Sequence, residues 1–493
     1  MTNQKLSLQK IISSITLLAT LLFTLPAFSQ GEKTAPAIPE PAAEKLASSF
    51  VDAVNTGDRS LLRAFLSENV DPNVLRRFPL DTVVGMNMSF FYESAGKGMK
   101  YNGIISSDAK GIQAAVTNSH TGAKLTLTIP LSGTDDPKIA GRCEMKLSQD
   151  ENTPSNVMSN ETIAAKLENC VELLLADDEF SGTIIVAKDG KPFYSKSCGM
   201  ASKAYSIENN LDTQFNVASL GKMFTGVAIT QLAERGKLSF DDPIAKHLPE
   251  GWVSPEIAEK TTIRHLLTHT SGYGTYFRAL YTQIKQPFFR GLNDYKGIIS
   301  EEKPSFEPGE RWSYSNSGMH LLGVIIENVT GGSYYDYMRD NVFEPAGMTR
   351  TDFRDKDIPL SNRATPYVKE AGEWRTSLFA RVLKGGPSGG GYSTVPDLLK
   401  FRNALLNNQL LSAEYTDLAL SVKPEVNSTF YGYGFFLSSG KAGRVAEHGG
   451  DGTGISTQFK MYLDSGYTVT VLSNFSRPAA QIIANVAGQM IER

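Results

Sequence analysis

Ser219-Leu220-Gly221-Lys222, followed by Met223-Phe224-Thr225-Gly226-Val227-Ala228, places a serine at the head of a helical pattern with a lysine three residues on. Met223, Phe224, Val227 and Leu232 form an apolar stripe, and Gly236 supplies a stop. A spacing of three puts Ser219 and Lys222 on one helix face. A serine hydroxyl is a poor nucleophile near neutral pH, and a neighbouring amine able to lose its proton can activate it. The helix N-terminus adds a backbone N–H and a dipole that favour a developing oxyanion. The spacing alone is not selective: Ser-x-x-Lys occurs six times, at Ser7, Ser94, Ser107, Ser219, Ser300 and Ser438. Ser7 falls in an N-terminal apolar segment, Ser94, Ser107 and Ser438 in Gly- or Asp-containing turns, and Ser300 in a charged stretch. Only Ser219 has an apolar helix behind it.

Two further clusters follow along the chain. Tyr314-Ser315-Asn316 precedes a helical run from Met319 to Val329. A tyrosine and an amide two residues apart on a loop can face one cleft, the phenol shuttling a proton and the amide binding a substrate carbonyl. His448-Gly449-Gly450 then precedes Asp451-Gly452-Thr453-Gly454, and its glycines allow a strand edge to approach a substrate backbone closely. Other patterns carry a blander reading. Gly386-Pro387-Ser388-Gly389-Gly390 matches a G-x-S-x-G elbow, but no helix starts until about Pro396, so it reads as a glycine-rich loop beside the cleft. His265 and His269 sit four apart as in a zinc helix, yet Leu266 stands where the general base belongs. Phe277, Tyr281, Phe288 and Phe289 suit a substrate pocket or a core equally.

Ser219-x-x-Lys222, Tyr314-x-Asn316 and His448-Gly449-Gly450, in this order, resemble the motifs of the penicillin-recognising serine hydrolases. In detail they are similar to the class C β-lactamase branch, which also holds esterases, D-amino-acid peptidases and D,D-carboxypeptidases. His265-Leu266-Leu267-Thr268-His269-Thr270-Ser271-Gly272, Pro308-Gly309 and Gly389-Gly390-Gly391-Tyr392-Ser393-Thr394 match as well. The resemblance covers about Ile163 to Arg493. It implies an α+β fold, an antiparallel sheet flanked by helices plus a helical region, with the site between them. It implies that Ser219 forms an acyl-enzyme and that Lys222 and Tyr314 share the proton work, with the identity of the base left open. Asn316, His448, Gly449 and Gly450 would bind substrate, and the backbone N–H groups of Ser219 and Asp451 would form the oxyanion hole. No metal or organic cofactor is implied. The implied partner is a small-molecule or peptide substrate, cell-wall peptides among them. One departure stands out: family β-lactamases carry Lys-Thr-Gly where this chain has His448-Gly449-Gly450. An imidazole with a pKa of about 6.5 is mostly neutral at pH 7 and anchors a carboxylate less well than lysine. If His448 contacts substrate, preference for carboxylate-bearing substrates should rise as pH falls from about 8 to 5.

The composition fits this reading. Of 493 residues 41% are hydrophobic and 20% charged, and 49 Lys plus Arg against 52 Asp plus Glu leave a net charge of −3. No basic excess points to nucleic acid. Residues 1–29 read as a signal peptide, with Lys5 and Lys10, an apolar run from Ile11 to Leu25, and small residues at Ala27 and Ser29. The mature chain is expected to be exported, periplasmic or secreted, without a membrane span after cleavage. Residues 30–41 read as a linker, 42–148 as a small α+β domain, 149–161 as a second linker and 162–493 as the hydrolase domain. In the small domain Ala42 to Phe65 is helix-like, and Met86 to Tyr92, Ile112 to Thr117 and Ala123 to Pro130 read as strands. Its element order resembles the cone-shaped NTF2-like domains, and His120 reads as a solvated turn residue. Of Cys143, Cys170 and Cys198, Cys170 and Cys198 could pair in an exported chain, but buried free thiols are the favoured reading. The function expected is an exported serine hydrolase acting on an ester, amide or D-amino-acid peptide. The alternatives are a D,D-carboxypeptidase, a penicillin-binding enzyme or β-lactamase, and, outside catalysis, an idle ligand-binding protein.

Overall fold

The computed structural model describes residues 38–133, 136–148, 158–277, 289–370, 372–377 and 382–492. Residues 1–29, expected to be a signal peptide, and most of both expected linkers lie outside them, as do Tyr281 and Phe288. The chain divides into two compact units, one ending at Asp177 and joined by Asn485 to Arg493, the other running from Asp178 to Ala484.

The first unit opens with helices α1 (Glu40–Asn55), α2 (Arg59–Asn69), α3 (Pro72–Arg77) and α4 (Leu80–Glu93). Asp58 caps α2 by accepting from the Ser60 N–H at 2.7 Å. Strands β1 (Met99–Asp108), β2 (Gly111–Asn118), β3 (Lys124–Ser132), β4 (Lys138–Ile139) and β5 (Glu144–Leu147) form an antiparallel sheet in which β4 and β5 both pair with β3. Helix α5 (Asn160–Ala176) follows, capped by the Ser159 hydroxyl. Its first turn therefore includes Asn160 and Glu161, which the sequence placed in a linker, just as Glu40 and Pro41 open α1. Met86 to Tyr92 is helical, not a strand. The apparent alternation is too short a window: Val83, Val84, Asn87, Met88 and Phe91 are buried at helical spacing. Cys143 and Cys170 are buried free thiols, and burial pushes the pKa of each up to about 12.

The second unit is built on a six-stranded antiparallel sheet. Strands β6 (Gly182–Lys188) and β7 (Lys191–Cys198) form the hairpin expected from Asp189-Gly190, both of which have positive φ. Strands β8 (Phe436–Gly440), β9 (Gly443–Gly452), β10 (Ile455–Tyr462) and β11 (Tyr467–Ser473) complete it in the order β8-β9-β10-β11-β6-β7. Register matters here. β8 pairs only with Gly443 to Glu447, whereas β10 pairs with β9 through Gly452. His448 to Gly452 are therefore left as an open edge on one side.

The helix after Ser219, α6 (Gly221–Glu234), is buried over nearly its whole circumference, so it is a core helix and not an amphipathic surface one. Phe224 meets Phe343 and Phe401 edge to face, with centroids 5.2 and 4.9 Å apart. At Gly226 a Cβ would come within 2.2 Å of the Tyr433 carbonyl. Helices α7 (Asn316–Thr330) and α8 (Val395–Leu406) add to this core, and α9 (Ala479–Ile491) ends the fold. Phe224→Ala is expected to destabilise the protein by about 3–5 kcal/mol, whereas exposed Tyr205→Ala should stay within about 0.5 kcal/mol. Urea denaturation of the two variants checks this.

Candidate active site

Ser219 lies in a single 3-10 turn, Ala218–Leu220, that leads into α6. Ala218 holds φ at +44°, a costly conformation for a residue with a Cβ. The cost is met by neighbours. Ala218 N–H donates to Asn216 Oδ1 at 3.0 Å, and its carbonyl accepts from Gly390 N–H at 3.0 Å. The glycine-rich loop can approach this closely because Gly389 lacks a side chain: a Cβ there would meet the Ala218 carbonyl at 2.1 Å. On the open edge of β9 a Cβ at Gly450 would meet the Val217 carbonyl at 2.3 Å. The two glycine motifs thus allow two backbones to enclose the serine turn.

Lys222 is fully buried on the first turn of α6. Its Nζ is 3.2 Å from Ser219 Oγ, 2.8 Å from Asn316 Oδ1 and 2.6 Å from the Ser388 carbonyl. Among the described residues no carboxylate pairs with it, and burial holds its pKa well below that of an ordinary lysine. A neutral amine has two N–H donors and one lone pair. Asn316 Oδ1 and the Ser388 carbonyl are acceptors only, so they take both donors. The amide orientation of Asn316 is set by its Nδ2, which donates to Thr275 Oγ1 at 3.2 Å. In that neutral form, which burial favours, the lone pair would face the Ser219 hydroxyl.

Tyr314 stands on the loop before α7, and its ring centroid is 4.7 Å from Lys222 Nζ. It hydrogen-bonds Ser219, which lowers its pKa, but burial dominates and raises it, so it is a phenol and not a phenolate at neutral pH. With the Ser219 proton directed to Lys222, the phenol donates to Ser219 Oγ. Ser315 caps α7 by accepting from Gly318 N–H at 2.8 Å, which makes Asn316 the first residue of the helix and not a loop residue.

His269 has left-handed backbone, is fully buried, and packs between Tyr314 and Tyr431 with centroids 4.6 and 4.5 Å away. Its Nδ1 accepts from Ser315 N–H at 3.2 Å, which fixes the tyrosine motif. His265 closes a cap with Thr262. Both histidines therefore have structural work, as the missing glutamate suggested. Ser388 Oγ is bonded to Tyr276 OH at 2.6 Å, and it is the main-chain carbonyl of Ser388 that faces Lys222. Phe277 and Phe289 pack against the core.

His448 differs from expectation. Its side chain is buried, its Nε2 lies 3.2 Å from Tyr431 OH and its Nδ1 2.7 Å from the Gly449 carbonyl. Burial, with Lys222 nearby, pushes its pKa down to about 3, so it does not titrate between pH 5 and 8. Gly449 and Gly450 lie on the open edge as the sequence suggested. Asp451 follows them, with its carboxylate accepting from Gln481 Nε2 at 2.8 Å and pairing with Arg477. Thr275, Tyr276, Ser388 as a carbonyl and Tyr431 were not read as site residues. Of these only Ser388 carries a sequence signal, its glycine-rich surroundings.

A strand edge, a serine turn leading into a core helix that bears the lysine, and a loop tyrosine followed by an amide on the first turn of α7 define a serine hydrolase. The beta-lactamase family model matches residues 167–487, and the chain belongs to that family. The chain is 32% identical to penicillin-binding protein 4* of Bacillus subtilis over 325 residues, 62% of this chain and 71% of the relative. It is also similar to the crystal structure of a penicillin-binding protein from Bacillus halodurans, at TM-score 0.59 and 33% identity over 64% of this chain and 98% of that one. A D-stereospecific amidohydrolase from Streptomyces sp. matches at TM-score 0.55 and 25% identity, over 66% of this chain and 98% of the other.

Because His448 is neutral throughout, the ratio of kcat/KM for a matched acid and neutral ester should stay flat from pH 5 to 8. A ratio that rises as pH falls would restore a charged imidazole.

Proposed function

We propose that this is an exported hydrolase that forms an acyl-enzyme on Ser219 and cleaves esters, amides or D-amino-acid peptides. The observation that carries the reading is the Lys222 amine: buried, without a carboxylate, and 3.2 Å from Ser219 Oγ. It takes the Ser219 proton as the hydroxyl oxygen attacks the substrate carbonyl. The backbone N–H groups of Ser219 and Asp451 receive the oxyanion, and the substrate backbone pairs along the edge from His448 to Gly452. Tyr314 passes its proton to the leaving group and regains one from the protonated Lys222, and Asn316 orients the substrate. Water then attacks the acyl carbonyl, its proton passing to Lys222 and on to the Ser219 oxygen as the acid leaves. Export is supported by the N-terminal pattern of residues 1–29, and among the described residues no helix is long and apolar enough to cross a membrane. An idle binding protein would have no use for a buried lysine held beside a serine with no carboxylate partner among the described residues.

The neutral His448 favours substrates that need no charged anchor, such as esters and aminoacyl amides. The second reading, a D,D-carboxypeptidase that penicillin acylates, is favoured by the likeness to penicillin-binding proteins.

Ser219→Ala should abolish both turnover and the acyl-enzyme. Lys222→Arg, charged at every working pH, should lose at least about two orders of magnitude in kcat. In the parent protein activity should fall as pH drops through the lowered Lys222 pKa, because the protonated amine cannot accept the serine proton. A chromogenic ester, a D-aminoacyl amide, a D-Ala-D-Ala peptide and a labelled penicillin, followed by intact mass, separate the readings. Turnover of ester and amide supports the first, and a persistent penicillin adduct with peptide release supports the second. No adduct from any of them would leave a binding protein.

A further inference from the structure

The two acceptors that orient the Lys222 amine are themselves held by neighbouring residues of one loop. Thr275 Oγ1 accepts from Asn316 Nδ2 at 3.2 Å, and so turns Asn316 Oδ1 toward Lys222. The next residue, Tyr276, shares a 2.6 Å hydrogen bond with the Ser388 hydroxyl, on the residue whose carbonyl accepts from Lys222. Tyr276 and Ser388 are both buried, so this bond is shielded from water. The loop is tied down from the other side. The half-buried Glu302 carboxylate accepts from Gly274 N–H at 2.5 Å and from Ser317 Oγ at 2.5 Å. Ser317 is on the first turn of α7, beside Asn316. One carboxylate therefore joins the loop to the element that carries the amide.

We infer that Gly274-Thr275-Tyr276, anchored by Glu302, is a positioning device: Thr275 and Tyr276 set the directions of the two acceptors that leave the Lys222 lone pair facing Ser219. The inference rests on the reading of Lys222 as the base. Thr275 acts through Asn316 and Tyr276 through Ser388, and Glu302 holds the loop through Gly274 and Ser317. Without Thr275 the Asn316 amide can turn over and present N–H groups to the amine, which would compete for its lone pair. Without the Tyr276 hydroxyl the Ser388 loop loses its buried tie. Misplacing a reacting group in this way costs rate more than binding.

The device also keeps water from the amine. The titratable groups around Lys222 are Tyr314, His269 and His448, the histidines kept neutral by burial, and Tyr276 beside Tyr314. Burial alone depresses Lys222, so a loosened loop should let water favour the ammonium form and move the acid limb of the rate profile to higher pH.

The test uses the purified protein and p-nitrophenyl butyrate. Tyr276→Phe and Thr275→Val remove one hydroxyl each with little change of shape, and Thr275→Ser restores the acceptor. We expect the first two to lower the acylation rate constant about tenfold or more, with KM within about twofold, and to raise the acid limb of the pH profile. Thr275→Ser should stay within about twofold of the parent. Thermal unfolding checks that all three remain folded. Parent-like acylation rates and an unmoved acid limb in both Tyr276→Phe and Thr275→Val would overturn the inference. Lys222→Ala is the separate control: if it still acylates at the parent rate, the base is elsewhere and both the reading and the inference fall. If it is inactive while the loop variants are unaffected, only the inference falls.

Discussion

An amine buried without a counter-charge is the constraint around which the catalytic unit is arranged. Removing an ammonium from water costs several kcal/mol even after relaxation, so burial holds the pKa of this group well below that of an ordinary lysine. Lys222 is put there by its position on the first turn of a helix that is buried nearly all round. The serine one turn earlier lies at the margin of that core, where substrate can reach it. Helix geometry places the two side chains together, and burial lowers the pKa of the amine beside the hydroxyl.

Much of the surrounding structure follows from enclosing this pair with backbone. The serine turn keeps Ala218 at positive φ, and Gly389 of the glycine-rich loop and Gly450 on the edge lie against it at distances that no Cβ allows. Close backbone supplies N–H and C=O groups that are rigid, uncharged and need no side-chain ordering. The Ser388 carbonyl is one such group. The short β8 strand has a matching consequence, because its pairing with β9 ends at Phe436 opposite Glu447 and leaves β9 open just where the serine turn comes near.

His448 shows how environment overrides residue type. On a solvated loop it would titrate near pH 6.5. On β9 its ring turns inward to Tyr431 and its pKa drops to about 3. The wall of the site that family β-lactamases charge with lysine is here uncharged.

The helix from Gly221, the hairpin at Asp189-Gly190, the helix after Asn316 and the grouping of Ser219, Lys222, Tyr314 and Asn316 were legible in the sequence. Each rests on local rules, a period, a turn dipeptide or a motif spacing, that act within a few residues. The strand expected at Met86 to Tyr92 failed for the same reason: a seven-residue window alternates while the longer segment from Leu80 is helical and buries Val83, Asn87 and Phe91 in register. What only the tertiary structure decided are the directions and protonation states. Thr275 and Tyr276 carry no motif, since their partners Asn316 and Ser388 are 41 and 112 residues away. The neutral states of Lys222 and His448 depend on what surrounds them in space. Desolvation belongs to a folded environment and not to any stretch of chain.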